Sequence, residues 1–233
     1  MSQTHPFSGW SHDDIAGLSQ AQRLDRLRLL SRISPSRPPY PGLGQEMNAG
    51  LDVTEDMTQF EQDLRRRFYE TVVSDPIISH AEANWAKLSP AERQRAVERV
   101  VAVQGDMFGF DPVPIEFEEL PRQVGGRYDR NRNVIVLNSK PSEGRHTIFN
   151  AAHEAGHIFQ RRLREGFRAG RIAPDDPRYP LAEALSLVDF YYIRPHEDLG
   201  KYKGQLSEEH AEEYGSGLRD RFYEQFRKRR SSK

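Results

Sequence analysis

Apolar residues recur every three or four positions over several stretches of the chain, as they do in helices that bury one face. A first helix is predicted from about 57 to 73, and a last one from about 206 to 228. Between them, a helix begins at the sequence SPAE, where Ser89 is the expected N-cap and Glu92 completes a capping box. Gly105 suits the end of that helix. The apolar positions of the first helix are Phe60, Leu64, Phe68 and Val72.

The apolar period changes from about four residues to two near the middle of the chain. The sequence VPIEFEEL (113–120) alternates apolar and acidic residues, as a half-buried strand does. The sequence GGRYDRNRNVIVLN predicts two more strands, about 126–129 and 133–138, around an Asp/Asn turn. Together these segments predict a small antiparallel sheet.

A long helix, predicted from about 143 to 166, carries the sequence NAAHEAGHIFQ. Pro141 and Ser142 introduce it. The predicted fold class is α+β, a mainly helical domain with the small antiparallel sheet packed on this helix. The apolar stripe of the long helix is Ile148, Ala152, Ala155 and Phe159.

Residues 1–53 are predicted to form a flexible N-terminal arm, and residues 54–233 the globular domain. The sequence SPSRPPYPGLGQ (34–45) is too rich in Pro, Gly and Ser for a helix or a central strand. One short amphipathic helix is expected before it, within LSQAQRLDRLRLLSRI (18–33).

Composition narrows the classes of protein to which the chain can belong. Lys and Arg number 34 against 35 Asp and Glu, a net charge of -1, and the mean hydropathy is -0.80. We therefore expect a soluble protein without a nucleic-acid partner. No apolar run approaches the roughly 20 residues of a membrane span. The start of the chain does not resemble a signal peptide, so synthesis in the cytoplasm is expected, with signal-independent secretion left open. The chain has no cysteine, so a metal site must use His, Asp and Glu.

The sequence HEAGH within the long helix places two imidazoles one turn apart. His153 and His157 can therefore face a single metal ion. Glu154 is about 100° round the helix, suited to hydrogen-bond a metal-held water rather than to be a ligand. Gly156 costs about 1 kcal/mol in a helix, which the close approach of a substrate or a neighbouring backbone would explain. The competing interpretation is an ordinary helix without metal.

A catalytic zinc needs a third protein ligand. The last helix has an inward apolar stripe, and extending that stripe back by three residues reaches Glu208, a carboxylate that burial alone would disfavour. Glu208 is therefore the preferred third ligand. The alternatives left open are Asp189, His196, Glu197, Asp198, Glu209 and His210. The stripe consists of Ala211, Gly215, Leu218, Phe222 and Phe226.

The HEAGH helix, preceded by a small sheet and followed by a glutamate-bearing helix, resembles the zincin metallopeptidases of the gluzincin type. The sequence YKGQLSEEHAEEYG is similar to the Q-x-x-E-x-x-A-x-x-Y-G stretch of small bacterial and phage HExxH proteins, with Leu206 at a common proline position. The resemblance covers roughly 110 to 226. It implies a zincin-like fold, Glu208 as third zinc ligand and Glu154 as general base. It also implies that the edge strand of the sheet binds an extended peptide.

Zincins commonly add a His, Tyr or Arg that stabilises the oxyanion. We assign this catalytic role to Tyr214, from a set of five candidate side chains. The sequence thus predicts a Zn2+-dependent metallopeptidase acting on a protein or peptide substrate. A bacterial effector or toxin, with secretion machinery or an immunity protein as partner, is one biological setting. The alternative is a zincin-like binding or regulatory module without catalysis. The five candidates are Tyr191, Tyr192, His196, Tyr202 and Tyr214.

Overall fold

Helices form most of the protein, with one small sheet. The computed structural model describes residues 12–33, 41–49, 51, 59–140 and 144–231. The described helices are α1 (His12–Ala16), α2 (Gln20–Ile33), α3 (Pro41–Asn48), α4 (Gln59–Ser74), α5 (Pro76–Asn84), α6 (Pro90–Phe108), α7 (Gly144–Arg168), α8 (Tyr179–Val188), α9 (Leu199–Lys203) and α10 (Leu206–Ser231). The described strands are β1 (Ile115–Glu118), β2 (Gly126–Asp129) and β3 (Val134–Asn138). The predicted α+β, mainly helical fold class is confirmed. None of the helices among these residues combines the length and the apolar character that crossing a membrane requires.

The sheet is mixed rather than antiparallel, which corrects the prediction. Its strand order is β1-β3-β2; β2 and β3 form the predicted antiparallel hairpin, whereas β1 pairs with β3 in parallel. All five residues of β3 are buried, as expected of a central strand. Alternation of apolar residues identifies a strand but not its direction, because both kinds of pairing place side chains on the two faces with a period of two.

Helix α7 lies at the centre of the fold, in contact with α6, α8, α10 and the sheet. Its predicted apolar stripe is buried: Ile148, Ala152 and Ala155 are fully inaccessible and Phe159 is nearly so. The helix extends two residues beyond the predicted end at 166. Residues 141–143, which include the predicted start signals Pro141 and Ser142, lie outside the described residues.

Helix α4 buries most of the predicted face but not its first residue. Phe68 and Val72 are fully buried, but Phe60 is 47% exposed. Glu61 and Arg65 lie on the buried face instead. Polar residues at buried positions are costly unless they find partners, and both residues face α10, where partners are present.

Helix α6 begins as predicted and ends later than predicted. Ser89 and Glu92 form the reciprocal capping box. The helix continues past Gly105 and stops at Gly109, whose φ of 75° is the left-handed conformation that favours glycine. Gly105 is needed for a different reason: a Cβ there would lie 2.5 Å from the carbonyl oxygen of Phe110.

Small residues let α7 and α10 pack closely. A Cβ on Gly156 would lie 3.3 Å from the Cα of Ala211 and 2.9 Å from a ring carbon of Tyr214. A Cβ on Gly215 would lie 3.1 Å from the carbonyl oxygen of Phe149. The expected close approach at Gly156 is therefore that of a neighbouring helix. This seam brings the start of α10 alongside the HEAGH turn of α7.

The described part of the N-terminal segment packs against the domain. Leu27 and Leu30 of α2 and Met47 of α3 are fully buried within the common hydrophobic core. Arg28 donates two hydrogen bonds to Glu183 of α8, at 3.1 and 2.7 Å. The described residues of this segment form three helices where one was expected. These helices contribute to the same hydrophobic core as the predicted globular domain.

Helix α3 begins inside the Pro-rich sequence that was expected to exclude helices. Pro41 is its first residue, a position where proline's fixed φ and missing N–H are tolerated. At its other end, the buried Asn48 side chain donates to the carbonyl of Tyr191 and to the side chain of Gln205, and accepts from Leu206 N–H. Asn48 thus anchors the start of α10, the helix that carries Glu208.

Candidate metal centre

His153 and His157 project from one face of α7 toward the same point. Their rings are centred 4.9 Å apart and nearly perpendicular, at 85°. Each imidazole keeps a small exposed fraction, 20% and 16% of the side chain, next to the buried stripe of the helix. The helical spacing of four residues is what produces this convergence.

Glu208 completes a three-ligand cluster. Its Oε2 lies 3.7 Å from Nε2 of His153 and 3.7 Å from Nε2 of His157, and donor atoms of all three residues lie within 4.8 Å of one another. A tetrahedral zinc with bonds of about 2.0–2.1 Å separates its ligand atoms by roughly 3.3 Å. The two imidazoles and one carboxylate therefore fit such an ion with small side-chain movements.

Two tyrosines orient the Glu208 carboxylate. Tyr192 Oη donates to Oε1 at 2.9 Å, which leaves Oε2 directed at the histidines. Tyr202 also interacts with the carboxylate and with Tyr192. Burial alone would raise the pKa of Glu208, but His153, His157 and Tyr202 stabilise the anion and lower that pKa to about 2. Glu208 is therefore ionised and ready to bind a cation.

Gln160 sets the orientation of His157. Its Nε2 donates to the carbonyl of Ser207 at 2.6 Å, so Oε1 faces Nδ1 of His157 at 3.0 Å. Because Oε1 can only accept, His157 carries its proton on Nδ1 and presents a bare Nε2 to the cluster. Burial lowers the pKa of His157 to about 4 despite the nearby Glu208. His157 is thus held in the neutral form that ligates metals.

The network continues behind Gln160. Its Nε2 lies 3.0 Å from Nδ1 of His210, whose Nε2 is 2.6 Å from Oε1 of Glu61. Since the amide nitrogen donates to Nδ1, the proton of His210 is on Nε2 and is donated to Glu61. Glu61, on the buried face of α4, thereby connects to the metal-facing histidine through two side chains.

His153 has acidic neighbours on both ring nitrogens. Glu208 lies at Nε2, and Glu212 Oε2 lies 3.4 Å from Nδ1. Burial disfavours the charged ring, but interaction with these two carboxylates outweighs it and raises the pKa of His153 to about 10. His153 would release a proton on binding a metal, and Glu212 would then hold its other nitrogen.

Glu154 lies under the edge strand β2. Its Cγ is 3.2 Å from where a Cβ on Gly126 would be, and it accepts the backbone N–H of Tyr128. Burial raises the pKa of Glu154 to about 7, with Glu208 adding to the effect and His153 opposing it. A carboxylate with a pKa near neutrality is suited to accept and return a proton.

A cavity of about 160 Å³ joins these groups. It lies between α7, β2 and the start of α10. Glu154, His157 and Glu208 line it together with Tyr192 and Tyr202. One solvent-connected space thus holds the general-base candidate Glu154 and the metal-ligand candidates His157 and Glu208. The hydroxyl groups of the two tyrosines share it.

Tyr214, the predicted oxyanion donor, lies elsewhere. It is fully buried, edge-on to Phe108, and its hydroxyl donates to Glu61 at 3.3 Å. It does not line the cavity. Tyr192 and Tyr202, two of the other candidates named from the sequence, line the cavity.

The alternative third ligands have other surroundings. His210 is bonded to Glu61 and Gln160. Asp189 lies among arginine side chains. Among the residues that the structure describes, the only His/Asp/Glu group close enough to hold a metal is His153, His157 and Glu208. Sequence reasoning did not find Gln160, although its position three residues after His157 on the same helical face was a usable signal.

Comparison with known proteins gave no relative. No protein-family model, curated protein or solved structure matches the chain.

Proposed function

We propose that the protein is a zinc-dependent hydrolase, a metallopeptidase that cleaves a protein or peptide substrate. The observation that carries this proposal is the placement of Nε2 of His153 and of His157 at equal distances, 3.7 Å, from one oxygen of Glu208. Glu154, a buried glutamate beside this cluster, supplies a general base, which a purely structural metal site does not need. Zinc held by the three residues would supply a Lewis acid and a bound water of lowered pKa.

Each remaining side chain has a role in this proposal. Glu154 accepts the proton of the attacking water and delivers it to the leaving amine. Tyr192 and Tyr202 keep one carboxylate oxygen of Glu208 engaged, and both line the cavity in which an oxyanion would develop. Gln160 holds His157 in the ligating tautomer.

The free edge of β2 favours a peptide as substrate. The strand order leaves β2 at the edge of the sheet, paired only with β3 among the described strands. Because Asn138 N–H donates to Gly125 O, Gly126 and Tyr128 turn their backbone groups toward the open edge. Glu154 accepts the N–H of Tyr128, so a peptide would pair with the backbone groups of Gly126 and the carbonyl of Tyr128. An extended peptide can add to such an edge through main-chain hydrogen bonds. Glu154 sits beneath that same edge.

Metal analysis combined with matched variants tests the proposal. We expect about one zinc per chain in the wild type, consistent with the three-ligand cluster. His153→Ala and Glu208→Ala should lose the metal, whereas Glu154→Gln should keep it. Cleavage of a proteome-derived peptide library, followed by mass spectrometry, should be lost in all three variants. Glu224→Gln is the matched control on α10: it should retain zinc, since Glu224 is exposed and pairs with Arg221 rather than with the cluster.

Two results would contradict the proposal. A wild-type protein that takes up no zinc would remove the metal site. Full cleavage by Glu154→Gln would remove the assigned general base. A protein that binds zinc but cleaves no peptide would instead support the binding or regulatory module considered from the sequence.

A further inference from the structure

Arg164 is buried close to the candidate metal centre without a hydrogen bond. It lies on α7 seven residues after His157, which places it on the same helical face two turns on. The residue is 4% exposed, and its Nε is 3.5 Å from Oδ1 of Asp189. Among the described residues its guanidinium donates no hydrogen bond. Burying a group with five donors is costly unless an anion satisfies them.

Asp189 cannot satisfy Arg164 alone, because two more arginines share it. Arg168 Nη2 donates to Oδ2 at 2.9 Å, and Arg130 Nη1 lies 3.9 Å from Oδ1. We call Arg130, Arg164 and Arg168 the arginine cluster. Three cations against one carboxylate leave two positive charges uncompensated. Burial lowers the pKa of Arg164 to about 10; Asp189 opposes this effect, and Arg130 and Arg168 add to it.

Other nearby acids are already engaged. Glu165 lies 2.7 Å from Arg161 and 3.6 Å from Arg162. Glu118 is bonded to Arg127, a further arginine on the cavity wall. The excess positive charge therefore stays on the arginine cluster.

The cluster borders the candidate active-site cavity. Arg130, 54% exposed at its side chain, lines that cavity beside Glu154 and His157. Among the described residues, Arg130 donates no hydrogen bond. The turn that carries Asp189 leads directly to Tyr192, whose hydroxyl binds Glu208. A carboxylate bound to Arg130 would therefore lie in the cavity that Glu154, His157 and Glu208 line, with Arg164 and Arg168 behind it around Asp189.

We propose that the arginine cluster binds a carboxylate of the substrate, at a subsite on one side of the scissile bond. The proposal rests on the hydrolytic function proposed above and adds a specificity to it. Guanidinium groups match carboxylates in planar, two-point hydrogen bonds, which makes arginine the residue suited to this recognition. The carboxylate can belong to an Asp or Glu side chain or to the C-terminus of a peptide.

Matched peptide libraries distinguish these two sources. One degenerate library carries Glu or the isosteric Gln at a fixed position, and a second carries a free or an amidated C-terminus. The zinc-loaded wild type should prefer the anionic member of one pair by about 10-fold or more in kcat/KM, the size expected for a hydrogen bond to a charged group. A preference in the first library identifies a side-chain carboxylate, and one in the second identifies the C-terminus.

Variants connect the preference to the cluster. Arg130→Gln should abolish it and should leave the fold intact, since this side chain is half exposed. Arg164→Gln should abolish it as well, provided that circular dichroism shows a folded protein. Arg162→Gln is the matched control: it is an exposed arginine of α7 that faces Asp111 and Glu165, and its preference should equal that of the wild type.

Equal cleavage of anionic and neutral peptides by the wild type would overturn the proposal, as would an unchanged preference in Arg130→Gln. Binding of the same libraries to zinc-loaded Glu154→Gln separates this failure from that of the hydrolytic function. Selective binding of anionic peptides without cleavage by the wild type would retain the subsite and refute hydrolysis. Cleavage without charge preference would retain hydrolysis and refute the subsite. Neither binding nor cleavage would refute both.

Discussion

Gln160 holds His157 in one tautomer because the two ends of its amide have different partners. The carbonyl of Ser207 and Nδ1 of His210 accept from the amide nitrogen, which turns the amide oxygen toward His157. A neutral side chain thus decides which imidazole nitrogen is available to a metal. Hydrogen-bond partners of this kind typically change metal affinity by 10- to 100-fold.

Replacing Gln160 should weaken zinc binding without removing a ligand. We expect Gln160→Ala to raise the zinc Kd by roughly 10- to 100-fold, because His157 loses its fixed orientation. Competition with a chromogenic chelator measures this change. Gln123→Ala, at an exposed position in the loop before β2, is the control and should bind zinc like the wild type. An unchanged Kd for Gln160→Ala would show that His157 is oriented by other contacts.

Asp75 stabilises the start of α5 in two ways. Its Oδ1 accepts from the N–H groups of Ile77 and Ile78, and its Oδ2 accepts from Arg99 Nε at 2.8 Å. Burial would raise the pKa of Asp75, but Arg99 and the two N–H groups outweigh burial and lower it. One side chain therefore joins the N-terminus of α5 to α6.

The contribution of Asp75 should depend on pH. Because its pKa is lower in the folded than in the unfolded state, its stabilisation is present above about pH 4 and is lost as the pH falls through the folded pKa. Asp75→Ala should lower the free energy of unfolding by about 1 kcal/mol or more near neutral pH. In urea unfolding, the difference from wild type should shrink progressively below about pH 4. A difference that stayed constant on acidification would mean that the carboxylate charge is not involved. Asp106→Ala, exposed on α6, is the control.

The seam between α7 and α10 permits a test with the same substitution at two places in one helix. Gly156→Ala would place a Cβ against the backbone of Ala211, whereas Gly166→Ala meets only side-chain carbons of Ile172, at 3.1 and 3.2 Å. Both substitutions replace glycine by alanine within α7 and gain similar helix propensity. The difference between their free energies of unfolding therefore reports the cost of moving α7 and α10 apart. We expect Gly156→Ala to be less stable than Gly166→Ala by about 1–3 kcal/mol in denaturant unfolding. It should also bind zinc more weakly, since α10 carries Glu208. Equal stability of the two variants would refute close packing at the seam.

At the scale of the whole molecule, the described helices of the N-terminal segment share the hydrophobic core of the rest of the protein. Leu27 is fully buried in the common core, and Asn48 bonds to Gln205 and Leu206 at the start of α10. Helices α2 and α3 contact α8 and the turn at Asp189–Tyr191. These contacts support the start of α10 and the turn at Asp189–Tyr191, two elements that border the candidate metal centre.

Truncating Leu27 should destabilise the entire protein. We expect Leu27→Ala to lower the free energy of unfolding by about 2–5 kcal/mol, as for other fully buried leucines, within a single cooperative transition. Leu29→Ala, a partly buried neighbour in the same helix, should cost less. Chemical denaturation followed by both far-ultraviolet dichroism and tryptophan fluorescence provides the measurement. An early transition confined to a small part of the dichroism signal would indicate that the segment folds independently.

Local patterns were sufficient to predict the central part of the candidate site. The spacing of His153 and His157 placed both rings on one face, and the apolar stripe of the last helix identified Glu208 as a buried acid. The predicted stripe also includes Phe226, whose side chain lies outside the described residues. These predictions succeeded because helical periodicity alone decides which residues share a face. The same reasoning placed Phe60 on the buried face of α4 incorrectly. The neighbouring Glu61 is buried there because it bonds to His210 and Tyr214, which lie far away in the sequence.

The sequence by itself determined the helices α2, α4, α6, α7 and α10, the HEAGH pair and the inward position of Glu208, because each depends on residues within a few turns of one another. Only the tertiary structure decided the parallel pairing of β1, the docking of the N-terminal segment and the placement of Tyr214 away from the cavity. Tyr214 lies 153 residues from its partner Glu61, and Asn48 lies 157 residues from Gln205. Contacts between such distant residues depend on how whole elements pack, which no local pattern specifies.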